Sequence, residues 1–182
     1  MNMMVQRIAG SDAFPFGLID LKAHLRIDFD DDDASLANMG KTAAAEIEQF
    51  AQIALLTQTI RGTIIDPDRD RILRLPVGPS IGESVPTITI NDVAFTDFEF
   101  ISGDRPVIFW KGDFPNLFLN LMEIEYQAGF GASETDIPSD LSQAVLDQAA
   151  LHYDGRSPMN AKSLTTSPHM ARVAARYRGV QL

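Results

Sequence analysis

The chain of 182 residues has 15 Lys and Arg against 25 Asp and Glu, a net charge of −10, and no cysteine. This length predicts one domain, or one domain that carries an insertion, and the lack of cysteine excludes a disulfide scaffold, a thiolate zinc site and a cysteine nucleophile. No apolar run reaches the roughly 18 residues that cross a bilayer, and residues 1–7 lack the apolar core of a signal peptide. We therefore expect a soluble protein, made in a cytoplasm, with no membrane partner.

The charge is unevenly distributed along the sequence. Residues 155–182 carry five basic groups and no acid, which leaves residues 1–154 with 10 basic and 25 acidic groups. An acidic body disfavours tight wrapping of nucleic acid, because phosphate contacts need Lys and Arg. The basic end predicts either an interaction tail or a solvated, frayed terminus.

Three segments show helical periodicity. We predict a short helix from Leu18 to Leu25, a long one from about Asp32 to Leu55, and a third from Pro138 to about Tyr153. The long helix has one apolar stripe, which we expect to pack against Leu21, Leu25, Leu141 and Val145 as one core. The stripe consists of Leu36, Met39, Ala43, Ile47, Phe50 and Ala54.

Between the second and third helices the pattern favours strands. We predict a hairpin of residues 98–101 with residues 107–110, and a closing strand over residues 119–127. The fold class is therefore α+β: a small helical bundle with a β-rich insertion and an extended C-terminal tail. We divide the chain into an N-terminal extension (1–17), a helical core (18–56 and 133–155), the insertion (57–132) and a basic tail (156–182).

An aspartate run precedes the long helix and resembles part of a calcium loop. Asp28, Asp30 and Asp32 match the first three ligand positions of an EF-hand. The position that needs Gly for the sharp turn is Asp33, and the position that needs a bidentate Glu is Met39. We therefore expect these carboxylates to cap the helix and face solvent, and we predict no metal site and no cofactor.

No other arrangement in the sequence assembles a catalytic centre. The three histidines, His24, His152 and His169, lie in different segments without a metal-binding spacing. Glu123 and Glu125 alternate on one strand face, which is typical of a solvated face or of an interface with a basic partner. We therefore predict that the protein is not an enzyme.

Four aromatic residues cluster near the end of the insertion, and two interpretations of them stay open. They either close the β core or contact a neighbouring subunit or a stopper protein, since such residues are enriched at interface centres. The residues are Phe109, Trp110, Phe114 and Phe118.

Two motifs resemble those of the tailed-phage head–tail connector family. Residues 21–28, LKAHLRID, match its short helix with K-x-H-L-R-[IV]. The family's long helix ends near a strand of the type T-x-Q-T, and the corresponding residues 56–59 are LTQT, with Leu56 in the first position. Residues 125–131, EYQAGFG, match its closing strand E-Y-x-A-G-[FY]-G, which is followed by an [IV]-P pair, here Ile137-Pro138, and a helix. The resemblance covers residues 18 to about 155, and the matching protein of a bacterial gene transfer agent would be a close relative.

The resemblance implies a structural adaptor. Such proteins form a ring, usually a dodecamer, between the portal and the stopper or tail proteins, and the ring extends a channel through which DNA passes without sequence-specific binding. It implies a place at the head–tail interface of the virion or particle, after assembly in the host cytoplasm. It also implies that the basic tail grips the portal and becomes ordered only on assembly. The tail residues concerned are Arg156, Lys162, Arg172, Arg176, Tyr177, Arg178 and Leu182.

Two other function classes remain open from the residues alone. One is a small hydrolase with paired carboxylates, which would need two of them about 5–9 Å apart in a closed cleft. The other is an oligomeric adaptor unrelated to phage.

Overall fold

The computed structural model describes residues 3–10, 12–82, 84–112, 114–156 and 166–179. These residues form four α-helices and eight strands in antiparallel sheets, so the predicted α+β class is confirmed. The chain divides into a helical unit, residues 12–56 and 131–182, and a β unit, residues 1–11 and 57–130. None of the described helices is both long and apolar enough to cross a membrane.

The helical unit contains the three predicted helices and a fourth, which the sequence indicates only weakly as a short helix over residues 170–177. The first helix has the predicted bounds, whereas the long helix ends earlier, where Gln52 adopts a left-handed conformation (φ 55°) and its N–H bonds to the Glu48 carbonyl. The helices are α1 (Leu18–Leu25), α2 (Asp33–Ala51), α3 (Ser139–Asp154) and α4 (Pro168–Tyr177).

The buried stripe of α2 differs from the predicted one. Leu36, Ala43 and Ile47 are buried as predicted, but Met39 is half-buried and Phe50 is 37% exposed. The buried face turns instead through Gly40, where an added Cβ would lie 2.3 Å from the Phe16 ring. A close approach of Phe16 to the α2 backbone therefore requires glycine at this position. Leu21, Leu141 and Val145 are fully buried, as predicted, while Leu25 is half-buried.

The last helix corrects the prediction of an extended tail. α4 packs against α2 and α3, and Met170, Val173 and Ala174 are buried. Ser167 caps the helix by accepting from the Met170 N–H, and Pro168 occupies the first turn, where its missing N–H costs nothing. Residues 168–177 therefore form a helix that packs on the helical unit and are not an extended segment. The sequence indicates a short helix over residues 170–177 only weakly, because just three apolar residues, Met170, Val173 and Ala174, form its buried face.

The β unit consists of two antiparallel sheets. The five-stranded sheet has the order β1-β2-β8-β4-β5, and the three-stranded sheet has the order β3-β7-β6. The predicted hairpin is the pair β6–β7. The strands are β1 (Met3–Ala9), β2 (Gln58–Ile65), β3 (Ile72–Arg74), β4 (Thr87–Ile90), β5 (Val93–Ala94), β6 (Phe98–Ile101), β7 (Val107–Trp110) and β8 (Leu121–Ala128).

The N-terminal segment is more than an extension of the helical core. Its residues 3–9 form β1, which pairs along β2 from Met3 opposite Ile64 to Arg7 opposite Ile60. β1 is thereby an edge strand of the five-stranded sheet.

The central strands β2 and β8 bury one face and leave the other half-exposed. Ile60, Ile64 and Ile124 belong to the buried face. On the other face, Glu125 lies opposite Arg61 and accepts a hydrogen bond of 2.6 Å from its Nε. This alternation is the two-residue period expected of a sheet with one packed face.

Candidate interaction surfaces

The predicted aromatic cluster is split by the fold. Trp110 and Phe114 are buried, 2% and 1% exposed, and their rings stack with centroids 4.4 Å apart. Phe95 packs edge-on against both rings, at 5.9 Å from each. An interface role for Trp110 and Phe114 is therefore wrong, because they form the core of the β unit. Phe109 and Phe118 are exposed.

Phe118 is exposed but its backbone is held in place. The Asn91 amide nitrogen donates to the Phe118 carbonyl at 2.8 Å, and the Asn91 amide oxygen accepts from the N–H groups of Asn120 and Leu121. Asn91 can do this because it adopts the left-handed conformation (φ 49°) in the turn after β4. The Phe118 side chain, 80% exposed, thus extends from a hydrogen-bonded backbone segment.

An open groove of about 660 Å³ lies in the β unit beside two sheet edges. β5 ends the five-stranded sheet and β6 ends the three-stranded sheet, and both contribute to the lining. None of the described lining residues is ionisable, so the groove suits an apolar segment. The lining is Gly82, Val85, Pro86, Thr87, Ile88, Ala94, Phe95, Thr96, Phe98, Phe100 and Ser102. No groove could be predicted here from the sequence, because residues 76–86 are rich in Pro and Gly and indicate only a loop.

The aspartate run binds a lysine instead of capping α2. Asp32 occupies the N-cap position without a side-chain cap bond, so the capping prediction is wrong there. Lys22 of α1 donates to Asp30 at 2.5 Å and to Asp33 at 2.7 Å. These hydrogen bonds raise the pKa of Lys22 and lower that of Asp30. No group of three or more His, Cys, Asp or Glu among the described residues could hold a metal ion.

All three histidines lie beside carboxylates of the helical unit. Asp147 on α3 lies between His24 Nε2 of α1, at 3.2 Å, and His169 Nδ1 of α4, at 2.5 Å. His152 Nε2 lies 3.1 Å from Glu46 Oε2 of α2. These contacts join four helices, which assigns the histidines to the structure of the bundle.

Buried Gln148 completes the attachment of α4. Its amide nitrogen donates to Glu46 at 2.8 Å, and its amide oxygen accepts from the Ser167 N–H at 2.7 Å. A buried amide satisfied on both sides fixes one arrangement of the helices around it.

Most described cations of the predicted tail are engaged within the helical unit. Arg156 pairs with Asp32 at 3.1 Å, and Arg176 pairs with Asp140 at 2.8 Å. Tyr177 also donates to Asp140, at 2.8 Å, and Arg178 lies over the Phe50 ring, 5.8 Å from its centroid. The contacts of Arg176, Tyr177 and Arg178 hold α4 onto α2 and α3. Lys162 and Leu182 lie outside the described residues, and Arg172 is exposed on α4.

The fold is similar to chains of gene transfer agent structures. No protein-family model matches the sequence, and no curated protein matches it. A chain in the structure titled "Virion of native gene transfer agent (GTA) particle" matches with a TM-score of 0.78 and 25% identity, over 98% of this chain and 97% of that one.

Two further structures match over the same shares of both chains. They are titled "Neck of empty GTA particle computed with C6 symmetry" and "Neck of native GTA particle computed with C12 symmetry". Their TM-scores are 0.77 and 0.75, at identities of 22% and 24%, so here the likeness is one of fold. Over nearly its whole length, the chain is therefore similar to a chain of gene transfer agent virions, which confirms the resemblance that its two motifs indicate.

Proposed function

We propose that the protein is a structural, non-enzymatic component of a gene transfer agent or phage-like particle, in which it forms a ring in the neck between the portal and the stopper or tail proteins. The observation that carries the proposal is the match to a virion chain over 98% of this sequence at a TM-score of 0.78. The fold shared with neck structures of sixfold and twelvefold symmetry supports a ring, in which DNA passes through the centre.

The motif residues have structural roles that suit an adaptor. Lys22, in the first motif, binds the aspartates that precede α2. Tyr126, in the second, is buried and binds both backbone groups of Val77. Among the alternating acids of β8, Glu125 is engaged by Arg61 on the half-exposed sheet face and does not lie in a closed cleft, which gives the hydrolase alternative no support there.

For attachment to the portal, we propose the outer surface of α4. Arg156, Arg176 and Arg178 already contact groups of the helical unit, so the described residue that best fits an acidic portal group is exposed Arg172. Like-charge repulsion between the acidic body and DNA phosphates would favour free sliding through the ring.

Deleting the gene and imaging the particles tests the function. We expect DNA-filled heads without tails, and restoration of tails by the full chain supplied in trans. Imaging of complemented particles should show the chain as a ring at the neck. Complete, tailed particles without this chain would refute the proposal.

A further inference from the structure

We propose that strand β1 of one copy lies along the groove between β5 and β6 of the neighbouring copy, and that this contact, repeated, closes the ring. This inference rests on the proposed function and names the surfaces through which the ring would form. It commits to a second copy of this chain as the occupant of the groove.

Strand β1 exposes apolar side chains to solvent. Met4, Val5 and Ile8 are all exposed, so apolar side chains on both faces of the strand meet solvent. β1 pairs with β2 on one side only, and its other edge is open among the described residues. An open edge that exposes three apolar side chains invites pairing with another strand. Monomeric proteins usually block such edges with charge, proline or a covering element, and β1 has only one charged residue, Arg7, and no proline.

The positions of β1 and the groove are those that a ring contact requires. β1 and β5 are the opposite edges of one five-stranded sheet. Four strand spacings of about 4.8 Å separate them, roughly 19 Å in all, so β1 cannot occupy the groove of its own chain. A ring needs two different surfaces on opposite sides of each subunit, because its contacts run head to tail. The sheet supplies such a pair.

The groove also suits β1 in its chemistry. The groove has an apolar lining with no ionisable group among its described residues, and it is bordered by open strand edges. Strand addition at such an edge uses backbone hydrogen bonds for affinity and the groove for alternate side chains. The charges also match, since β1 carries Arg7 and no acid, while residues 91–102 carry Asp92 and Asp97 and no base. The third acid of that segment, Glu99, already pairs with Lys111 at 3.0 Å.

Disulfide cross-linking tests the contact directly, because the native chain has no cysteine. Four double variants combine Met4→Cys or Val5→Cys with Val93→Cys or Ile101→Cys, all at exposed positions. A disulfide needs Cα atoms about 4.4–6.8 Å apart, so cysteines at positions 4 or 5 and 93 of one chain, at opposite edges of the five-stranded sheet, cannot join. Ile101 lies on β6 of the other sheet, and a disulfide within one chain there would run as a monomer and not as a ladder. After oxidation in purified particles, we expect at least one double variant to run as a ladder of disulfide-linked multimers of the chain. Each single variant should run as a monomer.

The outcomes separate this inference from the proposed function. Double variants that enter the particles but never cross-link would overturn the β1 contact and leave the neck role intact. Absence of the wild-type chain from the particles would refute the neck role and the contact together.

A charge substitution gives an independent readout. Met4→Lys should lower the amount of chain in particles at least tenfold without changing the melting temperature, because it places charge in an apolar groove. Ile19→Lys is the matched control, since Ile19 is also exposed but lies on α1 of the helical unit. Equal incorporation of both variants would count against the contact.

Discussion

The Tyr126 hydroxyl binds both backbone groups of Val77: it accepts from the Val77 N–H at 3.1 Å and donates to the Val77 carbonyl at 3.0 Å. Tyr126 lies on β8, and Val77 lies in the loop after β3. Burial raises the pKa of the Tyr126 phenol, so it stays a neutral donor under ordinary conditions. The tyrosine of the closing-strand motif therefore fixes a loop.

Tyr126→Phe tests the importance of this pair. The substitution leaves a buried N–H and a buried carbonyl of Val77 unsatisfied, which costs about 1–3 kcal/mol. We expect a lower unfolding midpoint in urea and faster amide exchange at Val77. Tyr153→Phe, at a half-exposed position on α3, is the control and should change stability less. Equal effects of the two variants would show that the Val77 contacts are unimportant.

Ile47 and Phe50 on α2 form a matched pair with opposite environments. Ile47 is fully buried, so Ile47→Asp puts a carboxylate into an apolar core and should leave the helical unit unfolded. Phe50 is partly exposed under Arg178, so Phe50→Asp should keep the fold. Circular dichroism and size-exclusion chromatography measure both. A soluble, helical Ile47→Asp protein would contradict the buried stripe.

The same pair shows what sequence periodicity can predict. Spacing alone identified α1, the existence of α2 and α3, and the β6–β7 hairpin, because each depends on local pattern and turn chemistry. The face that α2 buries depends on its neighbours, and the close approach of Phe16 to Gly40 shifted that face away from Phe50. The sequence does not predict β1 and indicates α4 only weakly, as a short helix over residues 170–177, because the stability of both comes from pairing with distant segments.

Phe114 and Phe118 should respond oppositely to truncation. Phe114→Ala removes a stacked, buried ring and should destabilise the protein by about 3–5 kcal/mol. Phe118→Ala removes an exposed side chain and should stay within about 0.5 kcal/mol of the wild type. Chemical denaturation measures both values. A loss of several kcal/mol at Phe118 would mean that it packs within the chain after all.

The ion pair of Lys22 with Asp30 should make the stability of the protein depend on pH. The hydrogen bonds from Lys22 lower the pKa of Asp30 in the folded state. The ion pair therefore stabilises the protein fully above the pKa that Asp30 has in the unfolded chain, and this stabilisation is lost as the pH falls through the lower pKa of folded Asp30. Lys22→Met should raise the Asp30 pKa toward its ordinary value of 3.8. Titration of the Asp30 carboxyl by NMR measures the shift. An unchanged Asp30 pKa would show that the ion pair does not persist in solution.

Substitutions of Arg172 and Arg176 on α4 can distinguish attachment to the portal from folding of the chain. Arg176 is engaged with Asp140, and Arg176→Gln removes an exposed pair worth about 0–1 kcal/mol, so the melting temperature should fall only slightly. Arg172→Gln should leave the melting temperature unchanged but reduce attachment of the chain to portal-bearing, DNA-filled heads. The difference in attachment between Arg172→Gln and the wild type should become smaller as the salt concentration rises, because screening weakens the wild-type contact as well. Sedimentation of heads with labelled protein measures attachment at two salt concentrations. Normal attachment of Arg172→Gln at low salt would exclude this residue from the portal contact.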